Sequence, residues 1–306
     1  MINDHKKTLL VILGPTGVGK TELCMTVAEH LGTDIINADS RQIFAELPIG
    51  TAAPTPEQRK RIRHHFVASH SVNDYYSASN FENDVNELLC RQIFASTDTV
   101  LMSGGSMMYI DAVCNGIDDI PTITDDVRQW MKQRLDREGL PALVEELRTL
   151  DPEHWAIVDR NNPRRVVHAL EICHQTGHTY TSLRKQETKQ RPYKILKIGL
   201  NRDRTALYDR INARVVQMIR LGLEQEALAV YDKRHNNALN TVGYKEMFDY
   251  LDGLTTMEEC IKRIQSNTRK YCRKQLTWFK RDKSIQWFDP DNVEEIIKYI
   301  DIQLKV

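Results

Sequence analysis

Over roughly the first 115 residues, short all-apolar runs alternate with segments whose apolar residues recur every three or four positions. Residues 8–13, Thr-Leu-Leu-Val-Ile-Leu, are apolar at successive positions and predict a strand buried on both faces. Leu23, Val27 and Leu31 follow at a spacing of four and predict a helix opening near Lys20. Residues 34–38 predict a second strand, and His64-His65-Phe66-Val67 a short one. Between them, Thr55-Pro56-Glu57 starts a short helix with proline at its first position. Phe81, Val85, Leu88, Leu89 and Ile93 predict a helix over 81–94, and residues 99–102 the next buried strand.

From about Gly116 the pattern changes to helices alone for about 75 residues. Thr124 is placed to cap a helix over 125–137, and a second covers 141–150. Asp151-Pro152 opens a third by an Asp cap with proline at its first position, and Asn162-Pro163 opens a fourth that Gly177 ends. Residues 195–200 restore the strand pattern. Asp203 or Thr205 then caps a long helix to about Leu221, with Leu207, Ile211, Val215 and Met218 as its apolar stripe. Thr241-Val242-Gly243-Tyr244-Lys245-Glu246 turns into another helix, a basic helix spans 257–280, and a terminal helix follows Asp289-Pro290. The predicted fold is α/β: a parallel sheet flanked by helices, residues 1–115 with 192–306, and an all-helical domain inserted at 116–191.

Composition changes this picture little. A chain of 306 residues with 41% hydrophobic and 27% charged positions is ordinary for a globular protein. No apolar run approaches a bilayer-spanning length, and the N-terminal residues read into the first strand rather than into a signal peptide. The six cysteines are scattered with no C-x-x-C, so reduced thiols in a cytoplasmic protein are expected and a zinc site is not. Net charge is zero, yet from Lys262 to Lys283 nine Lys/Arg face one acid, with Tyr271, Trp278 and Phe279 among them. Such a stretch suits a phosphodiester backbone and unstacked bases, or it is a solvated helix face; charge alone leaves both open.

The candidate chemistry begins at Gly14-Pro15-Thr16-Gly17-Val18-Gly19-Lys20-Thr21, which is G-x-x-x-x-G-K-[ST] at a strand-to-helix turn. Backbone N–H groups and the helix dipole face an anion there, Lys20 supplies a point charge, and the Thr21 hydroxyl can ligate Mg²⁺. The motif specifies polyphosphate binding without specifying the polyphosphate. Asp39, at the carboxyl end of the second strand, lands beside this loop, as a water-mediated Mg²⁺ ligand, a general base, or simply a helix cap. Gly104-Gly105-Ser106 after the next strand repeats the anion-binding logic more weakly. Arg210 and Arg214, four apart on one helix, can hold a pyrophosphate between them or stand solvated.

Taken together these stretches resemble the tRNA dimethylallyltransferases, over almost the whole chain from Gly14 to about Arg281. The resemblance is carried by the phosphate loop through Thr21, Asp39-Ser40-Arg41-Gln42 with Ile49-Gly50-Thr51-Ala52, His64-His65-Phe66 and Tyr76-Ser77-Ala78. It continues through Gly104-Gly105-Ser106-Met107-Met108-Tyr109, Ala169-Leu170-Glu171 with Thr176-Gly177, Val242-Gly243-Tyr244, and Thr268-Arg269 with Gln275-Leu276-Thr277-Trp278-Phe279. It implies a P-loop NTPase-like core and transfer of the five-carbon group of dimethylallyl diphosphate to N6 of adenosine 37, next to the anticodon, in tRNAs reading U-initial codons. Pyrophosphate is released.

On that resemblance Thr16 to Thr21 bind the diphosphate, with Mg²⁺ near Thr21, and Asp39 is the general base. Arg214, with Arg210, grips the departing pyrophosphate. Asp39, Ser40, Arg41, Gln42, Ser106, Arg128, Arg164, Arg165, Val166, Val167, His168, Val242, Gly243, Tyr244 and Lys245 occupy tRNA-contacting positions. The target base is extruded to reach the reaction centre, the helical insertion clasps the anticodon stem-loop, and the basic helix follows backbone phosphates.

Three departures stand out: Ser106 where threonine is usual, Ala53 in place of a lysine, and His168 where arginine is common. None removes a proposed catalytic group; together they point to a lower affinity or a narrower set of tRNAs. The rival readings are the same transfer to a free adenine nucleotide, a P-loop small-molecule kinase or ATPase, and a non-catalytic RNA-binding protein. A monomer suffices for all of these.

Overall fold

A computed structural model describes residues 7–118, 120–185 and 188–305. The chain divides into two compact units: residues Met1–Cys114 with Gln190–Val306, and Asn115–Lys189.

The first unit opens with β1 (Thr8–Leu13), α1 (Lys20–Leu31), β2 (Ile35–Asn37), α2 (Pro56–Arg61) and β3 (His64–His65). It continues with α3 (Ala78–Leu88), a π-helical turn at Leu89–Ile93, the single turn α4 (Phe94–Ser96), β4 (Thr99–Gly104) and α5 (Met107–Asn115). The apolar periodicity over 81–94 is therefore real, but it runs through a change of helical pitch. The helical unit carries α6 (Asp125–Leu150), α7 (Pro152–Ile157), α8 (Pro163–Thr176) and α9 (Tyr180–Leu183). The chain then returns through β5 (Lys194–Leu200), α10 (Arg204–Arg220), α11 (Leu223–Ala229), α12 (Tyr244–Leu251), α13 (Met257–Phe279), β6 (Gln286–Phe288) and α14 (Val293–Leu304).

The six strands form one sheet in the order β3-β2-β4-β1-β5-β6, every neighbouring pair parallel. β1 lies in the interior, with Leu10 beside Leu101 on one side and Leu196 on the other. Its side chains alternate between two cores, as the pleat requires. Leu10 and Ile12 join Val27, Leu207, Ile211 and Ile300, from α1, α10 and α14. Leu9, Val11 and Leu13 join Phe81, Val85, Ile110 and Val113, from α3 and α5. Helices cover both faces, so the strand reads as an unbroken apolar run. β6, three residues with an exposed start, was too short to show in the apolar pattern.

The helical unit has its own core of Met131, Leu143, Leu147, Val166, Ala169 and Leu170. Gly139, at φ 78° and ψ 163°, breaks α6 into the two helices that the pattern predicts. Thr124 stands at the N-cap of α6 without a side-chain cap bond, while Asp151 caps α7 by accepting from His154 N.

Candidate active site

The site is built at the carboxyl ends of β1, β2, β4 and β5, where loops leave a parallel sheet and helix N-termini return to it. Val18 packs into the core while Thr16, Gly17 and Gly19 stay partly accessible, so the loop is anchored in the middle and open at its lip. Gly19 adopts φ 108° and is the N-cap of α1. A side chain there would be strained, and it would press on the guanidinium groups of Arg202 and Arg210, 3.3 and 3.6 Å from its Cβ. Lys20 Nζ donates to Gly14 O (2.9 Å) and Pro15 O (3.0 Å). Burial lowers its pKa to about 8, against the upward pull of Asp39; Arg214 lowers it further.

Asp39 follows β2. Its Oδ1 accepts from Arg41 N (2.9 Å) and Gln42 N (3.3 Å), an Asx turn that orients the carboxylate; Oδ2 accepts from no described residue. Ser106 Oγ accepts from Ser40 N (2.7 Å) and donates to Ser40 Oγ (3.1 Å), tying the start of α5 to this turn. Gln42 Nε2 donates to Thr51 O and Ala52 O, fixing the loop beneath Arg214, whose Nη2 reaches Ala52 O at 3.5 Å. Burial lowers the Arg214 pKa, and Asp39 opposes that shift.

Two cavities meet here. The first, about 770 Å³, is lined by Gly17, Gly19, Lys20 and Thr21 of the loop and by Arg202, Arg210 and Arg214. The second, about 430 Å³, is lined by Ser40, Arg41, Ser106, Val242, Gly243, Lys245, Asn267 and Tyr271. Thr16, Asp39, Thr51 and Arg214 line both. One cavity is cationic and carries the phosphate loop. The other combines polar edges with an aromatic ring, Tyr271, whose hydroxyl burial pushes up to about 12.

Most predicted residues of this unit converge on these walls; Gly14, Pro15 and Val18 are buried within the loop and line neither cavity, and Tyr244 does not face either one. It is fully buried, and its hydroxyl donates to Glu226 Oε1 at 2.5 Å. It braces the loop that Glu226 holds by accepting from Ile49 N and Gly50 N, both at 2.7 Å. In the helical unit Arg164, Arg165 and His168 are exposed on α8 and Arg128 is half-buried on α6. Val167 is half-buried, whereas Val166 is fully buried in the core of that unit, so its side chain holds the helix rather than a ligand. His64 and His65 are separately engaged, with Ile62 O and Asp34, and among the described residues no group of three His, Cys, Asp or Glu could hold a metal.

Three residues of the site were given no site role in the sequence reading. Arg202 lines the first cavity and donates from Nε to Val18 O at 2.7 Å. Its signal was its place two residues beyond β5, at a carboxyl end of the sheet. Gln275 is 1% exposed on α13; its Oε1 accepts from Thr16 N (2.9 Å) and its Nε2 donates to Gly105 O (2.8 Å). A lone amide in line with buried Cys272 and Phe279 on one helical stripe marks a buried polar group that must find partners. Glu226, on α11, gave no local signal.

A parallel, doubly covered sheet with a phosphate loop between β1 and α1 defines a P-loop NTPase-like α/β protein. A family model described as IPP transferase matches residues 42–282. The chain is 59% identical over 293 residues to tRNA dimethylallyltransferase 1 of Phocaeicola vulgatus, covering 96% of this chain and 97% of that protein. It is 56% identical over 299 residues to tRNA dimethylallyltransferase 1 of Bacteroides fragilis, covering 98% and 99%. Its fold matches the full-length tRNA isopentenylpyrophosphate transferase from Bacillus halodurans with a TM-score of 0.72 at 34% identity, over 98% of this chain and 97% of that one. The chain belongs to the IPP transferase family, and it is a transferase.

Proposed function

We propose that this enzyme transfers the dimethylallyl group of dimethylallyl diphosphate to N6 of adenosine 37 in tRNAs reading U-initial codons, releasing pyrophosphate. The observation that carries this reading is the shared wall: Thr16, Asp39, Thr51 and Arg214 line both cavities. A kinase needs its phosphate donor and acceptor to meet at the terminal phosphate. An alkyltransferase needs the acceptor nitrogen, the carbon under attack and the leaving oxygen in line, with a base beside the acceptor nitrogen and cations on the leaving group.

In this reading the diphosphate lies on the loop, Lys20 and Arg210, and the adenine enters the second cavity beside Tyr271. N6 attacks the allylic carbon, the carbon–oxygen bond breaks, and pyrophosphate departs with the electron pair. The N6 proton passes to the Asp39 carboxylate, whose Asx turn holds it in place. Arg214 meets the charge that develops on the leaving group, from a half-buried position partly shielded from water. Ser40, Arg41, Ser106, Val242, Gly243 and Lys245 surround the extruded nucleotide, while Gln42 lines the first cavity. In the helical unit Arg164 and Arg165 are the exposed cations for a stem-loop, and the exposed His168 and half-buried Arg128 are further contacts.

Mg²⁺ is the cofactor this donor set suits. Thr21 is exposed at the first turn of α1 and lines the same cavity as Asp39, and Mg²⁺ characteristically takes a few protein oxygens and completes its shell with phosphates and waters. When bound it would neutralise diphosphate charge.

The free-nucleotide reading leaves the helical unit and its exposed Arg164 and Arg165 unused. The test is transfer of radiolabelled dimethylallyl diphosphate to unmodified tRNA, with AMP as a parallel acceptor and ATP turnover assayed alongside. Label in tRNA without ATP turnover is expected. Label in AMP alone, or ATP turnover with no label in either acceptor, contradicts the reading.

A further inference from the structure

The rim of the phosphate cavity holds a third arginine whose partner is unusual for a structural ion pair. Arg202 Nε is fixed on Val18 O, and its Nη1 and Nη2 meet Asp291 Oδ2 and Oδ1 at 2.5 and 2.6 Å. Asp291 lies in the turn between β6 and α14, so adjacent parallel strands deliver both partners to one rim. The Arg202 side chain is 13% exposed and Asp291 is 70% exposed. The carboxylate end of the pair is solvated, so water screens part of its attraction, and a diphosphate, which carries more charge, competes for the same fork. The fork still has N–H donors to spare.

Arg210 reaches the same spot from α10. It fixes its Nε on Gly17 O at 3.0 Å, the loop carbonyl next to the one Arg202 holds. The Nη2 atoms of both arginines lie within 3.6 Å of one point, the place a Gly19 Cβ would take. Two like charges converging on a phosphate loop need an anion near them; Asp291 is the acid that hydrogen-bonds Arg202, with Asp289 acting on it from farther off. The Asp291 carboxyl is held below the usual range by its hydrogen bonds to Arg202 and by the charges of Arg202 and Arg210. The arrangement is an anion site whose occupant is a side chain on a turn.

We propose that Arg202 is a further diphosphate-binding residue and that Asp291 is its placeholder, a carboxylate that fills the arginine fork and yields it to an incoming diphosphate. This rests on the diphosphate reading of the cavity given above. Arg202 then grips the end of the diphosphate farthest from the carbon undergoing attack, and Asp291 weakens binding by competing for the same fork. That competition also eases release of pyrophosphate after transfer.

The experiment is calorimetric titration of Mg²⁺-pyrophosphate into the full chain and its Arg202→Gln, Arg202→Lys and Asp291→Asn variants. Arg202→Gln is expected to weaken binding about tenfold, the loss of a charge-assisted contact. Arg202→Lys loses part of that, since an ammonium keeps the charge without the fork. Asp291→Asn is expected to tighten binding about threefold. KM for dimethylallyl diphosphate follows the same order while KM for tRNA stays constant. If Arg202 and Asp291 merely clasp the loop to α14, both neutral variants lower the melting temperature and leave pyrophosphate affinity unchanged, which overturns the proposal. Should Arg202→Gln fail to fold, Asp291→Asn decides alone: unchanged or weaker binding overturns it. Wild-type protein that binds no pyrophosphate overturns the diphosphate reading itself.

Discussion

Lys20 spends its donors on two carbonyls of its own loop, and burial brings its pKa down to about 8 from 10.5. Its charge is therefore lost in the free enzyme as pH rises through about 8, well below the ordinary lysine range, and a bound diphosphate holds it. KM for dimethylallyl diphosphate should rise as pH passes upward through about 8, with kcat flat over the same range, because kcat reports the occupied site. Stability follows the opposite sense. The unfolded chain holds this proton up to its ordinary value, so the Lys20 contribution grows more favourable between about 8 and 10.5. A pH series of initial rates checks the first claim; a KM that stays level from pH 7 to 9 would refute it. Gln275 is the second residue whose role is sharp enough to test. Gln275→Leu keeps the volume but strands Thr16 N and Gly105 O in a buried setting, at a cost of about 1–3 kcal/mol. Since Thr16 lies on the phosphate loop, KM for the diphosphate should rise along with the lost stability, and Gln275→Glu, which can still accept from Thr16 N, should recover part of that KM. Equal losses in both variants would reduce Gln275 to a packing residue.

Elements show where the chain could be read and where it could not. β1, α1 and the phosphate loop were plain in the sequence, because a strand covered on both faces and a glycine-rich turn leave strong local marks. The split of α6 was legible for the same reason: Gly139 and Pro141 interrupt an apolar stripe that resumes at Leu143. Arg134 spans that break, pairing with Glu138 on its own side and Glu146 on the other. The φ and ψ of Gly139 belong to glycine, so Gly139→Ala should destabilise the helical unit by about 1–3 kcal/mol. A denaturation midpoint unchanged from the native protein would show the kink to be relaxed by other means. What stayed hidden were side-chain directions within correctly placed elements. Tyr244 sits in a stretch with the right local signature, yet its ring turns into the core because Glu226, 18 residues earlier, offers an acceptor there. Val166, by contrast, obeys the period of α8 and goes inside with Ala169 and Leu170, while Arg165 and His168 go out. The Tyr244 choice depends on a partner distant in sequence, which periodicity does not carry.

The whole molecule must leave the sheet after α5 and come back into it at β5. Arg191 sits at that return, 10% exposed, donating to Ala112 O and Val113 O and pairing with Glu82 at 2.7 Å, itself 3% exposed. Arg191→Met removes a cation facing a buried carboxylate and leaves Ala112 O and Val113 O without their donor, and should cost about 1–3 kcal/mol, read as a lower melting temperature. A loss well under 1 kcal/mol would mean that the return is fastened elsewhere. The same closure brings β5, α10 and α13 back to the phosphate loop. The arginines of α10 and the amide of α13 thus reach residues that the first hundred positions laid out. The central claim depends on that convergence: Asp39 takes the proton while Arg214 holds the leaving group across a wall common to two cavities. The most direct measurement is single-turnover transfer of labelled dimethylallyl diphosphate to tRNA by wild type and Asp39→Asn, with the affinity of each substrate measured in parallel. The account predicts a transfer rate lower by about 10²–10⁴ with both affinities nearly unchanged. Transfer at a near-native rate, or a loss traced wholly to tRNA binding, would contradict it.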